Sequence, residues 1–139
     1  GIWVTAYARR NLWTGILAVG DDYIYSDTDS LKVRNYDNHL GYINWFNDCI
    51  VSKMKAMCVY YSLDESLLSP KTKEGKTKMM GVWDYEGTYK KFKTLGAKRY
   101  LLLDNEKLKL TVAGLSKQNG IKHMLEIADG DIDSVFDMF

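Results

Sequence analysis

With 139 residues the chain has room for one domain or a piece of a larger one, and a hydrophobic fraction of 46% is enough for a packed core. No apolar run is long enough to cross a bilayer and nothing resembles a signal peptide, so a soluble, cytoplasmic protein without membrane partners is expected. Nineteen basic against eighteen acidic residues give a net charge of +1, which selects no partner by itself. The distribution says more: a basic stretch from Lys71 to Arg99 precedes an end whose charges, from Glu126 to Asp137, are all acidic. That suggests one face for a polyanion, although a solvated lysine-rich loop explains part of it equally well and is the preferred reading of residues 71–78.

The chain begins without methionine and already inside a helical pattern, as a segment of a longer protein would. Ile2, Ala6, Trp13, Ile16 and Leu17 share one face, Arg9 and Arg10 lie mid-segment, and Gly20 ends the helix at a left-handed cap. Residues 22–34 read as two short strands around a polar turn, with Tyr23, Ile24 and Tyr25 before it and Leu31 and Val33 after it. Asp37 or Asn38 then caps a helix from about His39 to Tyr61. Its stripe of Leu40, Ile43, Phe46, Ile50, Met54, Met57 and Tyr61 runs at steps of three and four and predicts core packing against the hairpin. The same helix carries Cys49 and Cys58 on opposite faces, roughly 13 Å apart, too far to pair. Both are expected to be reduced and buried.

Residues 62–79 form a polar connection around Pro70, the only proline. Val82–Tyr85 reads as a short strand and Thr88–Leu95 as a helix closed by Gly96. Arg99–Leu103 and Leu108–Val112 make a hairpin across Asp104, Asn105 and Glu106. Ser116 caps a last helix with Ile121, Met124, Leu125 and Ala128 on its apolar side. Helices and hairpins alternate irregularly, which predicts an α+β fold: an antiparallel sheet with packed helices.

The sharpest chemical signal is Tyr25-Ser26-Asp27-Thr28-Asp29-Ser30. Two carboxylates two residues apart at a hairpin tip repel each other and lose hydration. Magnesium offsets both costs, because it takes hard oxygen ligands, typically one or two carboxylates plus substrate phosphates. In a strand, residues i and i+2 face one side, so Asp27 and Asp29 can converge on a metal; a turn between them aims them differently. A solvated turn is the plainer reading of a bare D-x-D, and the full string inside an apolar hairpin is much more specific. His39 and His123 lack metal-ligand company and read as structural, and Trp83 and Tyr85 read as core rather than base-stacking residues.

The string YSDTDS resembles the third palm motif of family-B DNA polymerases. Ile2–Arg9 is similar to the segment before that motif in the protein-primed branch of phages and linear plasmids. Gly81–Gly87 and Tyr89–Tyr100 resemble the same branch's route to its K-x-Y motif. The resemblance implies a palm over residues 1–97, then a primer-grip strand and the start of a thumb over 98–139. It implies Asp29 as direct ligand of two Mg²⁺ ions (Mn²⁺ substituting), with Asp27 as the second catalytic carboxylate beside the metals. Lys98 and Tyr100, flanking Arg99, would hold the primer backbone; on a strand these two alternate with Arg99 and share a face, and both donate to phosphate oxygens. Lys90, Lys91 and Lys93 are further candidates for DNA contact. The partners implied are a DNA primer–template, deoxynucleoside triphosphates and a terminal protein primer, in the cytoplasm of a bacterial host. The first palm motif, with its metal-binding aspartate, and the fingers lysine of the second motif are not found, so the fragment by itself is expected to be inactive. Rival readings are a metal-dependent glycosyltransferase-like D-x-D protein, for which about 26 residues before the motif are too few, and a non-catalytic nucleic-acid-binding module.

Overall fold

The computed structural model describes residues 1–105 and 107–139. Among them, four α-helices, a two-stranded and a three-stranded antiparallel sheet make the expected mixed α+β fold. The elements are α1 (Ile2–Val19), β1 (Tyr23–Asp27), β2 (Ser30–Val33), α2 (Leu40–Tyr61), β3 (Lys91–Gly96), β4 (Arg99–Asp104), β5 (Lys107–Val112), α3 (Lys117–Ile127) and α4 (Ile132–Met138). No helix among them is long and apolar enough to cross a membrane. The chain divides into two compact units, residues 1–24 with 31–85 and residues 25–30 with 86–139. β3 and β4, on either side of the expected 97/98 boundary, pair directly.

In the first unit, α1 forms as predicted but turns a different face inward. Ile2, Trp13 and Leu17 are exposed, Ala6 and Ile16 are half-buried, and the fully buried positions are Gly15 and Val19. The reason is Trp83: a Cβ on Gly15 would come within 3.0 Å of its indole and 3.5 Å of Leu31. A large ring needs the one position on the helix that offers no side chain. Gly20 ends α1 with φ 53° and ψ −125°, so it uses glycine's freedom at positive φ without being a left-handed helical cap.

α2 begins after a short 3₁₀ turn, Tyr36–His39, that absorbs Asp37 and Asn38, so neither caps it. His39 takes the cap position without a side-chain cap bond, its ring being used by Asp22 instead. Ile43, Phe46, Ile50 and Met54 are half-buried as predicted. At the ends the stripe drifts off the protein: Leu40, Met57 and Tyr61 are exposed and Cys58 is buried in place of Met57. The partner of this face is the segment around Trp83 rather than the hairpin. Phe46 packs on Trp83 at 6.1 Å, and Ile50 and Met54 border Gly81. Cys49 is exposed, against expectation, because it sits off this face; both cysteines are free.

Val82–Tyr85 is not a strand. The Asn47 side chain supplies what a neighbouring strand would: its Oδ1 accepts from the Trp83 N–H at 2.7 Å and its Nδ2 donates to the Trp83 carbonyl at 2.9 Å. One amide from α2 satisfies both backbone groups, so no ladder is needed.

In the second unit no helix forms over 88–95; residues 88–90 lead into β3, which holds the rest of that segment. Lys91, Phe92, Lys93 and Thr94 alternate in the period of a strand, and β4 takes them as partners, Phe92 opposite Leu102 and Thr94 opposite Tyr100. The β4–β5 hairpin forms as predicted, with Leu101 opposite Leu110 and Leu103 opposite Leu108. Glu106, the third residue assigned to its turn, lies outside the described residues. α3 follows Ser116, which makes no side-chain cap bond. α4, which the sequence reading omits, is capped by Asp131 through the Ser134 N–H at 2.9 Å.

This sheet is covered on one face by the helices. Leu101, Leu103 and Leu110 form a core with Ala128, Val135 and Phe136, and Ile121, Met124 and Leu125 of α3 pack against it. Strand alternation puts Phe92, Tyr100 and Leu102 on the other face. That face carries the candidate site.

Candidate functional site

Tyr25 organises the site. It lies in β1, is 6% exposed, and its ring packs against Phe92 at 5.7 Å and Tyr100 at 5.3 Å, while Phe92 and Tyr100 stack on each other at 5.4 Å. The three rings bind the tip of the β1–β2 hairpin to the open face of the three-stranded sheet. Aromatic pairs in this range add to the stabilisation their burial provides.

The phenol and the carboxylate two residues on share one face of β1, and both reach the β3–β4 turn. The backbone N–H of Lys98 donates to the Tyr25 hydroxyl at 2.9 Å. The Lys98 ammonium donates to both oxygens of Asp27, at 3.0 and 2.9 Å. The Thr28 hydroxyl donates to Oδ1 of the same carboxylate at 2.9 Å. Both turns are tight. Lys98 has φ 56° and Thr28 φ 54°, values that cost non-glycine residues and most of all a β-branched one. The Asp29 N–H donates to the Asp27 carbonyl at 2.6 Å, closing a three-residue turn centred on Thr28. At positive φ this is the rare, strained form of such a turn.

Charge follows the geometry. The Lys98 ammonium, helped by the Thr28 hydroxyl, holds the Asp27 carboxyl below the ordinary carboxylate range against the opposing effect of partial burial. Asp27 in return raises the Lys98 ammonium above its ordinary range. Asp27 is half-buried; Asp29, one turn further out, is exposed.

The predicted site residues are therefore sorted by the fold. Asp27, Lys98 and Tyr100 come together around Tyr25. Asp27 and Asp29 are separated by the strained turn, the second of the two arrangements their spacing allowed. Lys98 is not on a strand beside Tyr100, as expected, but in the turn before β4; its left-handed backbone ends the alternation there. Arg99 stands on the face of β4 opposite Tyr100, by strand alternation. Lys90 is exposed ahead of β3. Lys91 and Lys93 lie toward the helices: Lys91 pairs with Asp133 and lies over the Phe136 ring at 5.7 Å, and Lys93 donates to the Phe136 carbonyl at 2.6 Å. The motifs alone assign no site role to Tyr25 or Phe92. The signal for Tyr25 is its i, i+2 relation to Asp27; for Phe92 it is the alternation with two lysines.

A second polar cluster sits at the hairpin base, in the first unit. The Asp22 carboxylate meets His39 Nε2 at 2.9 Å and accepts from Asn35 Nδ2 at 2.9 Å, and the Arg34 guanidinium donates to the Asp21 carbonyl at 2.6 Å. His39 holds the Asp22 carboxyl below its ordinary range. His39, expected to be structural, is engaged by Asp22 at the base of the hairpin.

At the tip Asp29 offers an exposed carboxylate, while the Asp27 carboxylate is held by Lys98. Among the described residues no group of three His, Cys, Asp or Glu side chains gathers to hold a metal. No family model, curated protein or solved structure matches the chain.

Proposed function

We propose that this chain is the downstream palm portion and primer grip of a protein-primed family-B DNA polymerase, acting in metal-dependent nucleotidyl transfer. The observation that carries the reading is the meeting of two motifs 71 residues apart: the D-T-D hairpin tip and the K-x-Y turn. Nothing in local sequence forces a lysine to a particular aspartate across that separation. A primer-gripping lysine, however, belongs beside the carboxylates that would hold metal at the reacting phosphate.

In this reading Asp29, the exposed carboxylate, is a ligand to Mg²⁺ or Mn²⁺, with Asp27 close behind it. Bound metal would lower the cost of charge developing on the phosphoryl oxygens as a primer hydroxyl attacks the α-phosphate and pyrophosphate leaves. The chain's own contribution is positional. Tyr25 fixes the hairpin tip and the Lys98 backbone together, the Lys98 ammonium offers charge to a primer phosphate, and the Tyr100 hydroxyl offers a donor. The DNA primer–template, the nucleotides and a terminal protein are the partners of the whole activity. Arg99, Lys91 and Lys93 take lesser parts, since Arg99 is on the other strand face and the two lysines are engaged by α4.

The test is binding of a recessed-primer DNA duplex by the chain and by Lys98→Met. The variant is expected to bind more weakly by a similar factor on unrelated sequences, and its log K against log salt to be shallower by about 1. A loss that depends on sequence, or no loss, overturns the primer-grip assignment. A metal-free nucleic-acid-binding module would instead bind as well or better with Asp29→Asn and respond to Mg²⁺ no differently from the unaltered chain.

A further inference from the structure

The Asp27–Lys98 pair has a feature that a simple ion pair lacks: the ammonium is shared between both carboxylate oxygens, at 3.0 and 2.9 Å, as it would be between two oxygens of a phosphate. The surroundings allow exchange. The Lys98 backbone is fixed at both polar groups, its N–H on the Tyr25 hydroxyl and its carbonyl accepting from the Ala113 N–H at 3.1 Å. The side chain beyond it is 58% exposed and ends a flexible four-carbon stem. The ammonium can therefore swing to solvent while the turn stays where it is.

We infer that Asp27 is a built-in competitor for the phosphate that Lys98 binds, so that an arriving nucleic-acid phosphate must displace the carboxylate and in doing so uncovers it. The inference rests on the reading of Lys98 as a phosphate ligand. An ammonium has three protons but one compact charge, and a carboxylate and a phosphate on opposite sides of it weaken each other's hold. Occupancy of Lys98 by Asp27 and by phosphate is then mutually opposed, and by linkage each lowers the affinity of the other equally. Thr28, whose hydroxyl remains on Asp27, keeps the freed carboxylate oriented. The device makes the second carboxylate of the tip available when polyanion is present and masks it when polyanion is absent.

The experiment is a four-way comparison of duplex affinity, read by anisotropy of a labelled recessed-primer duplex: the unaltered chain, Asp27→Asn, Lys98→Met, and both together. Asp27→Asn is expected to tighten binding by about two- to fivefold, the factor an exposed ion pair can withhold. The gain should vanish in the Lys98→Met background. A gain of the same size in that background would be a net-charge effect and overturns the competition, as does no gain at all. If Lys98→Met weakens binding while Asp27→Asn changes nothing, the primer-grip reading stands and only the competition falls. If Lys98→Met binds as tightly as the unaltered chain, both fall. A readout free of substitutions is the Asp27 carboxyl carbon resonance. It should shift as duplex is added, and a resonance that stays still while amides around Lys98 move overturns the exchange.

Discussion

Lysine at positive φ is an uncommon choice where glycine or asparagine would cost less, and Lys98 is held there by partners at its backbone and its ammonium. The ammonium's partner titrates, so the pair has a pH window with a definite sign. Asp27 is depressed in the folded state, so its contribution is present above the ordinary carboxylate pKa and lost as pH falls through its lowered value. Lys98 is raised, so its contribution is full below the ordinary lysine pKa and lost as pH rises through its raised value. The pair therefore acts across the neutral range and fails at both extremes. In an NMR titration, Asp27 is expected to protonate at lower pH than an ordinary aspartate, and Lys98→Met should move that midpoint upward. A midpoint unmoved by the substitution would mean the ammonium is not what depresses it. At this scale the sequence was half legible. YSDTDS and K-x-Y stood out as strings, but the partner of Asp27 could not be read, since the contact depends on Tyr25 joining two distant turns.

The elements were most legible where one periodicity dominated. The β1–β2 and β4–β5 hairpins and the apolar side of α3 follow from alternation or from steps of three and four. Two misreadings share a cause: local pattern was outweighed by one specific partner. Asn47 satisfies the backbone of Trp83 and removes the need for a strand, and the Leu-rich β4 draws Lys91–Thr94, read as part of a helix, into a ladder. Stability should follow packing, not hydrophobicity alone. Leu101 is fully buried, and Leu101→Ala should cost about 2–5 kcal/mol in denaturant unfolding. Met57, predicted as core but 49% exposed, should cost well under that as Met57→Ala. Two glycines separate propensity from space. A Cβ on Gly41 meets nothing within 4 Å, so Gly41→Ala should stabilise α2, by about 0.5 kcal/mol at a first-turn position. A Cβ on Gly120 would lie 2.7 Å from Leu110 and 2.9 Å from Leu115. Leu115 can move, but Leu110 is buried in the core, so Gly120→Ala should destabilise despite better helix propensity. Equal effects at the two glycines would show that backbone propensity governs both.

On the proposed reading, the question for the whole molecule is how much of a nucleotidyl-transfer site these 139 residues would assemble. Two-metal phosphoryl transfer needs ions about 3.5–4 Å apart, clamped so that attacking and leaving oxygens are both stabilised. Here the carboxylates of the tip come from one strained turn. Without duplex Asp27 pairs with Lys98 and Asp29 is the exposed carboxylate, and even with Asp27 uncovered both would approach a metal from the same turn. A lone carboxylate holds Mg²⁺ weakly, because the ion dehydrates reluctantly and asks for near-octahedral oxygen ligands. Groups that act as a unit lose most of their effect when one member is missing, so half a site is expected to give far less than half the rate. With Mg²⁺, all four nucleotides and a labelled recessed primer, the chain should therefore bind the duplex but extend it no faster than background. Millimolar Mn²⁺ should broaden the amide signals of Thr28 and Asp29 first, in keeping with weak binding at the tip. Extension well above background would overturn the expectation that these residues supply only one side of a two-metal site. Broadening centred away from the tip would overturn the assignment of Asp29 as a ligand, whatever the extension assay gave.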